Sequence, residues 1–482
     1  MRSAQRHFTS AFIYVHLCCR PSVLLGIALA TLVACDQPLT TKTDYQMWLE
    51  RHPQDSEAHW QLADLLLQER DYQESEHHYR TALSIDPVTV DAWIGLGNIS
   101  CKQGLYEQAE SHFRNALSLD EEHVGALCSL ASLALEQEEY AHSRDLYQQA
   151  LALDPDNAGA FYNLALAYIK LKAYYEAITA LRQATRIDTG YSLAFYALGQ
   201  IYAERLGEYQ EGIAAFRRAV ALRADWPSAR IGLGHALLQA GQVDAATTAF
   251  GEALALDPSE AQAHVGLGLA EERRRAETLA EAHYLRAIAL DPVRARTYFK
   301  LGTLYVRQGR KEEAQQYLGR FEELAPHADD LAQLRDRLRR EPDNALAHYA
   351  LAGIYAKLNM SSLAISALRS CLAVRPDYAP AYNNLGNAHL RMGDTREAIA
   401  MYEVAVRIDT AYALAYNNLG SAQLLNGQPH EALACYQRAL RIRPDYADAY
   451  YGLAMVYREQ GLHAEAGEAI ARYEQIAAAD EQ

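Results

Sequence analysis

Two consecutive stretches of 34 residues decide the fold: APAYNNLGNAHLRMGDTREAIAMYEVAVRIDTAY, residues 379–412, and ALAYNNLGSAQLLNGQPHEALACYQRALRIRPDY, residues 413–446. In each stretch, apolar residues three or four apart lie on both sides of a central glycine, Gly393 or Gly427. This spacing is typical of two amphipathic helices joined by a turn. A fixed period of this length indicates an array of stacked helical hairpins.

The same pattern extends over most of the chain. Repeats begin at residues 56, 90, 124, 158, 192, 227, 261, 295, 345, 379, 413 and 447. The eighth residue of every repeat is glycine or alanine, and the seventh is leucine: Leu62, Leu96, Leu130, Leu164, Leu198, Leu233, Leu267, Leu301, Leu351, Leu385, Leu419 and Leu453. A small residue beside a leucine lets two helices pack closely. Aromatic residues of the second helix, such as Phe113, Phe216 and Phe250, are predicted to fill the space between hairpins.

This pattern resembles the tetratricopeptide-repeat family, whose period is 34 residues. The resemblance implies an all-α fold, a right-handed superhelical solenoid of about twelve helix–turn–helix repeats in which each repeat contacts only its neighbours. The repeats also resemble the repeat arm of O-linked N-acetylglucosamine transferase, without its catalytic domain. The aromatic residues between hairpins are then core residues and not cofactor contacts.

Two departures interrupt the period. The fifth repeat is one residue longer around Gly207, and we predict that the extra residue lies in the turn between its helices. Pro342 follows Pro326 after only sixteen residues, and the leucines between them have the spacing of one amphipathic helix, half a repeat. A similar lone helix is predicted at the start of the repeat region.

These departures suggest two modules, with one continuous solenoid carrying a minor insertion as the alternative. The predicted segments after residue 43 are a half-repeat helix at 44–55, repeats 1–8 at 56–326, an inter-module helix at 327–344 and repeats 9–12 at 345–480.

Residues 1–34 resemble a secretory signal peptide. Three arginines and no acidic residue accompany an apolar run, Val23 to Ala34, that is too short to span a bilayer permanently. The run ends Leu32-Val33-Ala34-Cys35, which resembles the lipobox of bacterial lipoproteins. We therefore predict cleavage before Cys35, a palmitate-type lipid on its sulfur, and a short linker over 35–43. An uncleaved anchor and a mistaken start codon are the alternatives.

Asp36 bears on the localisation. By resemblance to enterobacterial lipoproteins, an aspartate after the lipidated cysteine implies retention at the periplasmic face of the inner membrane, with the outer membrane as the alternative. The linker reaches at most roughly 29 Å when extended. The folded part is therefore expected close to the membrane surface.

Composition and motifs exclude several function classes. The formal net charge of −16 disfavours nucleic acid as a partner. The sequence contains no Walker-type phosphate loop, no nucleophile elbow, no H-E-x-x-H motif and no cysteine or histidine cluster with zinc spacing. We predict a non-enzyme without catalytic residues, metal or cofactor. His77 and His78 are predicted to be exposed helix surface.

In the family that the repeats resemble, positions 2, 5, 9, 12 and 13 of each repeat line a concave groove. The residues predicted to bind a partner there are Asn383, Asn384, Asn387, Asn417, Asn418, Tyr349, Tyr451, Tyr162 and Tyr196. Asparagine is a poor helix former, so its clustering needs a reason. Either the amides bind the backbone of an extended peptide, or they support the stacking of hairpins.

These features together predict a membrane-tethered scaffold or adaptor that assembles a cell-envelope complex through its groove. The alternative is a regulatory or substrate-presenting arm for a separately encoded glycosyltransferase or peptidoglycan enzyme. The expected partners are other proteins, as extended segments or complex subunits, and the membrane through the lipid. Since no further repeat covers the last helix, homo-oligomerisation is also considered.

Overall fold

The computed structural model describes residues 39–480, and helices connected by short turns make up this part of the chain, with no strand among them. The described chain divides into two compact units, residues 39–290 and residues 291–480. The predicted all-α repeat fold is confirmed. The module boundaries and the handedness of the solenoid stay predictions.

The first unit opens with a lone helix, α1, and continues with seven helical hairpins. Thr41 and Asp44 form a reciprocal capping box at the start of α1, which fixes where this helix begins. The helices are α1 (Lys42–Arg51), α2 (Ser56–Gln68), α3 (Tyr72–Ile85), α4 (Val90–Lys102), α5 (Tyr106–Leu119), α6 (Val124–Glu136), α7 (Tyr140–Leu153), α8 (Ala158–Lys170), α9 (Tyr174–Ile187), α10 (Ser192–Gln200), α11 (Tyr209–Leu222), α12 (Pro227–Gln239), α13 (Val243–Leu256), α14 (Ala261–Arg273) and α15 (Glu277–Leu290).

The second unit contains five hairpins and one lone helix, α18, after the first of them. Its helices are α16 (Ala295–Arg307), α17 (Lys311–Leu324), α18 (Ala328–Arg340), α19 (Ala345–Lys357), α20 (Ser361–Val374), α21 (Ala379–Arg391), α22 (Thr395–Ile408), α23 (Ala413–Leu425), α24 (Pro429–Ile442), α25 (Ala447–Glu459) and α26 (His463–Asp480). A short 3₁₀ turn, Ala325–His327, connects α17 to α18.

Close packing between hairpins follows from the alternation of small and aromatic residues. Every seventh-position leucine is buried, as is Phe250 of α13. The Phe250 ring lies between two glycines, Gly234 of its own repeat and Gly266 of the next. A Cβ atom at either glycine would come within 2.6 Å or 2.3 Å of the ring, so only glycine fits there. The backbones of α12 and α14 therefore approach the ring directly.

A residue with positive φ ends the first helix of most hairpins. Gly241 has this role in the sixth repeat with φ +78°. Five other repeats use a residue with a side chain at the same place, for example Lys172 with φ +60° and Asn359 with φ +56°. This left-handed residue lets the chain reverse direction, at a steric cost wherever the residue is not glycine.

The extra residue of the fifth repeat is not in the turn, so that prediction is wrong. It is absorbed by a π-helical turn, Ile201–Leu206, which directly continues α10. Gly207 then ends the helix with φ +71° and donates its backbone N–H to the Tyr202 carbonyl. A wider helical turn accommodates one more residue while Ile201 and Tyr202 stay buried, whereas a longer loop would change the length of the connection.

An ion pair holds α18 within the second unit. Asp291, in the segment before α16, accepts two hydrogen bonds from the Arg335 guanidinium of α18, at 3.0 Å and 3.2 Å. Burial alone would raise the pKa of Asp291, but the hydrogen bonds and charge of Arg335 outweigh it and hold the pKa below its usual value. Leu331 of the same helix is buried. Both contacts fix α18 against its own unit.

Candidate functional site

The predicted asparagines of repeats 10 and 11 form a hydrogen-bonded network along the first helices of the second unit. Asn418 of α23 donates through Nδ2 to Asn383 Oδ1 of α21, with an N···O distance of 2.9 Å. Asn384 of α21 donates to the Tyr349 hydroxyl of α19 at 3.0 Å. Asn387 accepts from the Tyr402 hydroxyl at 2.7 Å. The amides thus connect three successive repeats.

Two of these asparagines are almost inaccessible to solvent. Asn383 is 1% exposed and Asn417 is 7% exposed. Asn383 Oδ1 is occupied by Asn418, while Asn417 Oδ1 is buried without a hydrogen-bond partner in the structure. The geometry shows a stacking contribution for Asn383, Asn384 and Asn418. A ligand-binding role for these residues stays a prediction.

Large apolar side chains lie exposed at the neighbouring inner positions of the same helices. Leu425 is 70% exposed, Leu346 is 56% exposed and Leu414 is 41% exposed. Tyr451 of α25 is 48% exposed and packs one side of its ring against Tyr473, with centroids 5.4 Å apart. Single exposed leucines are common, but several at matching repeat positions are unusual. The sequence analysis missed these leucines, although their positions 2 and 13 identify them.

The predicted tyrosines of the first unit are largely occupied by aromatic packing. Tyr162 lies against Tyr191, with ring centroids 5.2 Å apart, and burial raises its pKa to about 12. Tyr196 contacts Trp226 at 4.6 Å and the edge of Phe216 at 5.6 Å. Both tyrosines are therefore half-buried side chains with restricted rings. The structure does not bring them together with the asparagine network of the second unit.

A carboxyl group lies half-buried at an inner position of the first repeat. Asp64 accepts a short hydrogen bond from the hydroxyl of Tyr79, whose ring is fully buried. Burial raises the pKa of Asp64 to about 6, against the effect of that hydrogen bond, and the charge of Asp91 raises it further. The sequence analysis did not single out this residue, because an aspartate in a helix usually lies on a solvated face.

The prediction that His77 and His78 are both exposed is half wrong. His77 is exposed, but His78 turns toward α2 and its side chain is only 15% exposed. Its Nδ1 lies 2.8 Å from the Nδ1 of His59. The two residues are nineteen positions apart, so only the hairpin brings them together.

The signal peptide, Cys35 and Asp36 lie outside the described residues. In the part that the structure describes, no helix is both long and apolar enough to cross a membrane. Over the same range, no three or more His, Cys, Asp or Glu side chains are grouped so as to hold a metal ion.

Models of the repeat family match the chain at many places. Those described as "Tetratricopeptide repeat" or "TPR repeat" match residues 45–87, 61–123, 133–172, 158–191, 193–225, 231–295, 283–316, 345–378, 379–412, 426–461 and 447–480. Both units of the described chain are matched. The comparison with curated proteins finds no match.

Several solved structures are similar to parts of the chain. YrrB, described as a TPR protein with an unusual peptide-binding site, is 24% identical, with a TM-score of 0.36, over 39% of this chain and 96% of its own. PilW, a type IV pilus biogenesis factor, is 20% identical, with a TM-score of 0.40, over 44% and 97%. The pilF protein of Pseudomonas aeruginosa is 24% identical, with a TM-score of 0.38, over 42% and 92%.

Proposed function

Because this chain belongs to the tetratricopeptide-repeat family, whose members are protein-interaction scaffolds, we propose that it assembles a cell-envelope complex while tethered to the membrane by a lipid on Cys35. The proposed place is the periplasmic face of the inner membrane. The proposed binding surface consists of the inner positions of repeats 9–12, in the second unit. The partner is another protein that presents an extended segment or a subunit surface.

The observation that carries this proposal is the set of exposed apolar side chains beside a rigid polar network. Leu346, Leu414, Leu425 and Tyr451 offer apolar area, which is the main source of binding free energy in protein interfaces. The hydrogen bonds between Asn383 and Asn418 hold the helices that carry them in fixed register. A surface that is already ordered loses little conformational entropy when a partner binds.

The charge of the chain favours certain partners. With a net charge of −16, the protein attracts a basic or neutral segment more readily than an acidic one, and the effect weakens as salt screens it. Residues 426–461 and 447–480 match the repeat family to the end of the last hairpin, α25–α26. We propose no catalytic activity for the chain itself.

Membrane fractionation with intact-mass analysis tests the tether, and pull-down tests the surface. We expect the wild type to carry acyl mass at Cys35 and to sediment with membranes, and Cys35→Ser to lose both. Leu425→Glu should abolish recovery of the partner, because a charge replaces an exposed apolar contact. Leu279→Glu, at an equally exposed leucine of α15 in the other unit, is the matched control and should retain the partner.

The outcomes separate the parts of the proposal. Unprocessed protein in the soluble fraction would remove the envelope tether but leave the interaction surface. Equal recovery by Leu425→Glu and Leu279→Glu would reject the surface on repeats 9–12. Recovery of a glycosyltransferase or peptidoglycan enzyme as the partner would favour the regulatory-arm alternative over the structural scaffold.

A further inference from the structure

The same pair of histidines occurs in two separate repeats of the first unit. His59 and His78 face each other across the α2–α3 hairpin, with their Nδ1 atoms 2.8 Å apart. His264 and His283 occupy the corresponding places in the α14–α15 hairpin, with their Nδ1 atoms 3.2 Å apart. Each pair joins the fourth residue of the repeat to the twenty-third. In the second repeat a tryptophan and a histidine meet at these positions, so the register is a general cross-hairpin contact.

The surroundings of the first pair restrict where the ring protons lie. His59 Nε2 is 3.2 Å from the Pro53 carbonyl oxygen, which can only accept, so this nitrogen carries a proton. His78 Nε2 faces the Glu74 carboxylate at 3.9 Å, which also favours a proton on Nε2. A neutral imidazole with a proton on Nε2 has a lone pair on Nδ1. Both lone pairs then point into the same narrow space.

Two facing lone pairs need a Lewis acid between them. A proton can fill this role only by moving one ring to the other tautomer, which leaves a bare nitrogen toward the Pro53 carbonyl or the Glu74 carboxylate. A metal ion can accept both lone pairs and leave both Nε2–H groups in place. Metal-binding histidines commonly donate their other ring N–H to a carbonyl or carboxylate, which is the arrangement of His59 and Pro53.

We propose that each histidine pair binds one divalent transition-metal ion of the zinc, nickel or copper(II) class through its two Nδ1 atoms. Metal–nitrogen bonds of about 2.0–2.1 Å place two ligand nitrogens about 2.9 Å apart at a right angle and about 3.3 Å apart at the tetrahedral angle. The separations of 2.8 Å and 3.2 Å fit these two geometries. Imidazole is a favoured ligand for these metals.

The pairs supply two protein ligands each, so water completes the coordination. This agrees with the finding that no three or more ligand-type side chains group together within residues 39–480. Such an open sphere keeps the ion exchangeable. A bound ion joins the two helices of its hairpin, so binding stabilises the first and seventh repeats selectively. The proposal stands independently of the tether and of the surface on repeats 9–12.

Titration of the untagged full chain in detergent tests the sites. After treatment with a chelator, the protein is titrated with NiCl₂, ZnCl₂ and CuCl₂ by calorimetry. We expect two ions per chain for the wild type, one for His78→Gln and none for His78→Gln combined with His283→Gln. His77→Gln is the matched control on the neighbouring exposed residue and should still bind two. Circular dichroism checks that every variant is folded.

A second readout does not depend on any variant. The electron paramagnetic resonance spectrum of the copper(II)-loaded wild type should show coupling to two equivalent nitrogens at each site. Equal stoichiometry in the wild type and the folded double variant would overturn the proposal, because the ions would then bind elsewhere. Coupling to one nitrogen or none in the wild type would also overturn it.

Discussion

Replacing Gly266 by alanine should destabilise the sixth and seventh repeats. The new Cβ would lie 2.3–2.7 Å from three carbon atoms of the Phe250 ring, whereas carbon atoms in contact are normally about 3.5–4.0 Å apart. Phe250 is fully buried and has Gly234 on its other side, so the ring cannot move away without another close contact. We expect the substitution to force α14 away from α13.

The expected magnitude is the difference between two effects. Overpacking a buried site costs about 1–3 kcal/mol. Alanine in place of glycine within a helix returns roughly 0.5–1 kcal/mol. The net loss should therefore be about 1–2 kcal/mol, which corresponds to about 5- to 30-fold faster opening of the affected hairpins.

Native-state hydrogen exchange is the suitable assay, because a long repeat array does not unfold in one cooperative step. We expect faster exchange in α13 and α14, with α21–α24 unchanged as the internal control. Phe250→Leu in the same chain should relieve the contact, since buried Leu181 occupies the equivalent place in the fourth repeat beside alanines. The double variant should lose about 1 kcal/mol less than the two single losses combined. Unchanged exchange in Gly266→Ala, or strict additivity, would refute the packing argument.

Three further predictions concern single contacts. Asp291→Asn should free α18 from Arg335 and cost about 1–2 kcal/mol after allowance for solvent exposure of the arginine, measured as protease sensitivity of α18. Because the folded pKa of Asp291 is depressed, its stabilisation is present above the unfolded value of about 3.9 and is lost as pH falls below it, so wild type and variant should converge in acid. Lys172→Gly should raise thermal stability by about 0.5–1 kcal/mol, since φ +60° suits glycine; a lower melting temperature would contradict this. Asn418→Ala should cost about 1–2 kcal/mol by leaving Asn383 Oδ1 without its donor, and an unchanged unfolding curve would show that the bond is dispensable.

The last of these bears on how the binding surface is tested. Alanine at the asparagines perturbs the stacking of repeats 9–11, so a loss of partner in such variants would have two explanations. Leu425 is exposed and makes no such contact with the network, and a charge there tests binding with little effect on folding.

The repeat fold could be predicted from sequence because its decisive positions are local and periodic. Leu62 and the equivalent leucines recur with the period, and each is buried as the pattern requires. Gly266 and Gly234 are also visible in the sequence, although their reason, the Phe250 ring between them, appears only in the structure. The extra residue near Gly207 could not be placed, because a turn and a π-helical turn accept the same sequence length.

The candidate sites were less predictable because they depend on side-chain direction and on contacts between distant residues. Asn383 was predicted to face a ligand, but its amide is buried and bonded to the next repeat. His59 and His78 meet only through the reversal of the chain between α2 and α3, so no spacing rule for metal ligands detects them. Exposure of Leu425 likewise depends on which neighbours happen to cover it.

Site-specific photo-cross-linking in cells tests the central claim most directly. A photoreactive amino acid at Leu425 is compared with one at Tyr175, which is 68% exposed on α9 of the other unit. The account predicts a discrete adduct with an envelope protein from position 425, its loss in the Cys35→Ser background, and no matching adduct from position 175. Identical adducts from both positions, or adducts only with cytoplasmic proteins, would contradict it.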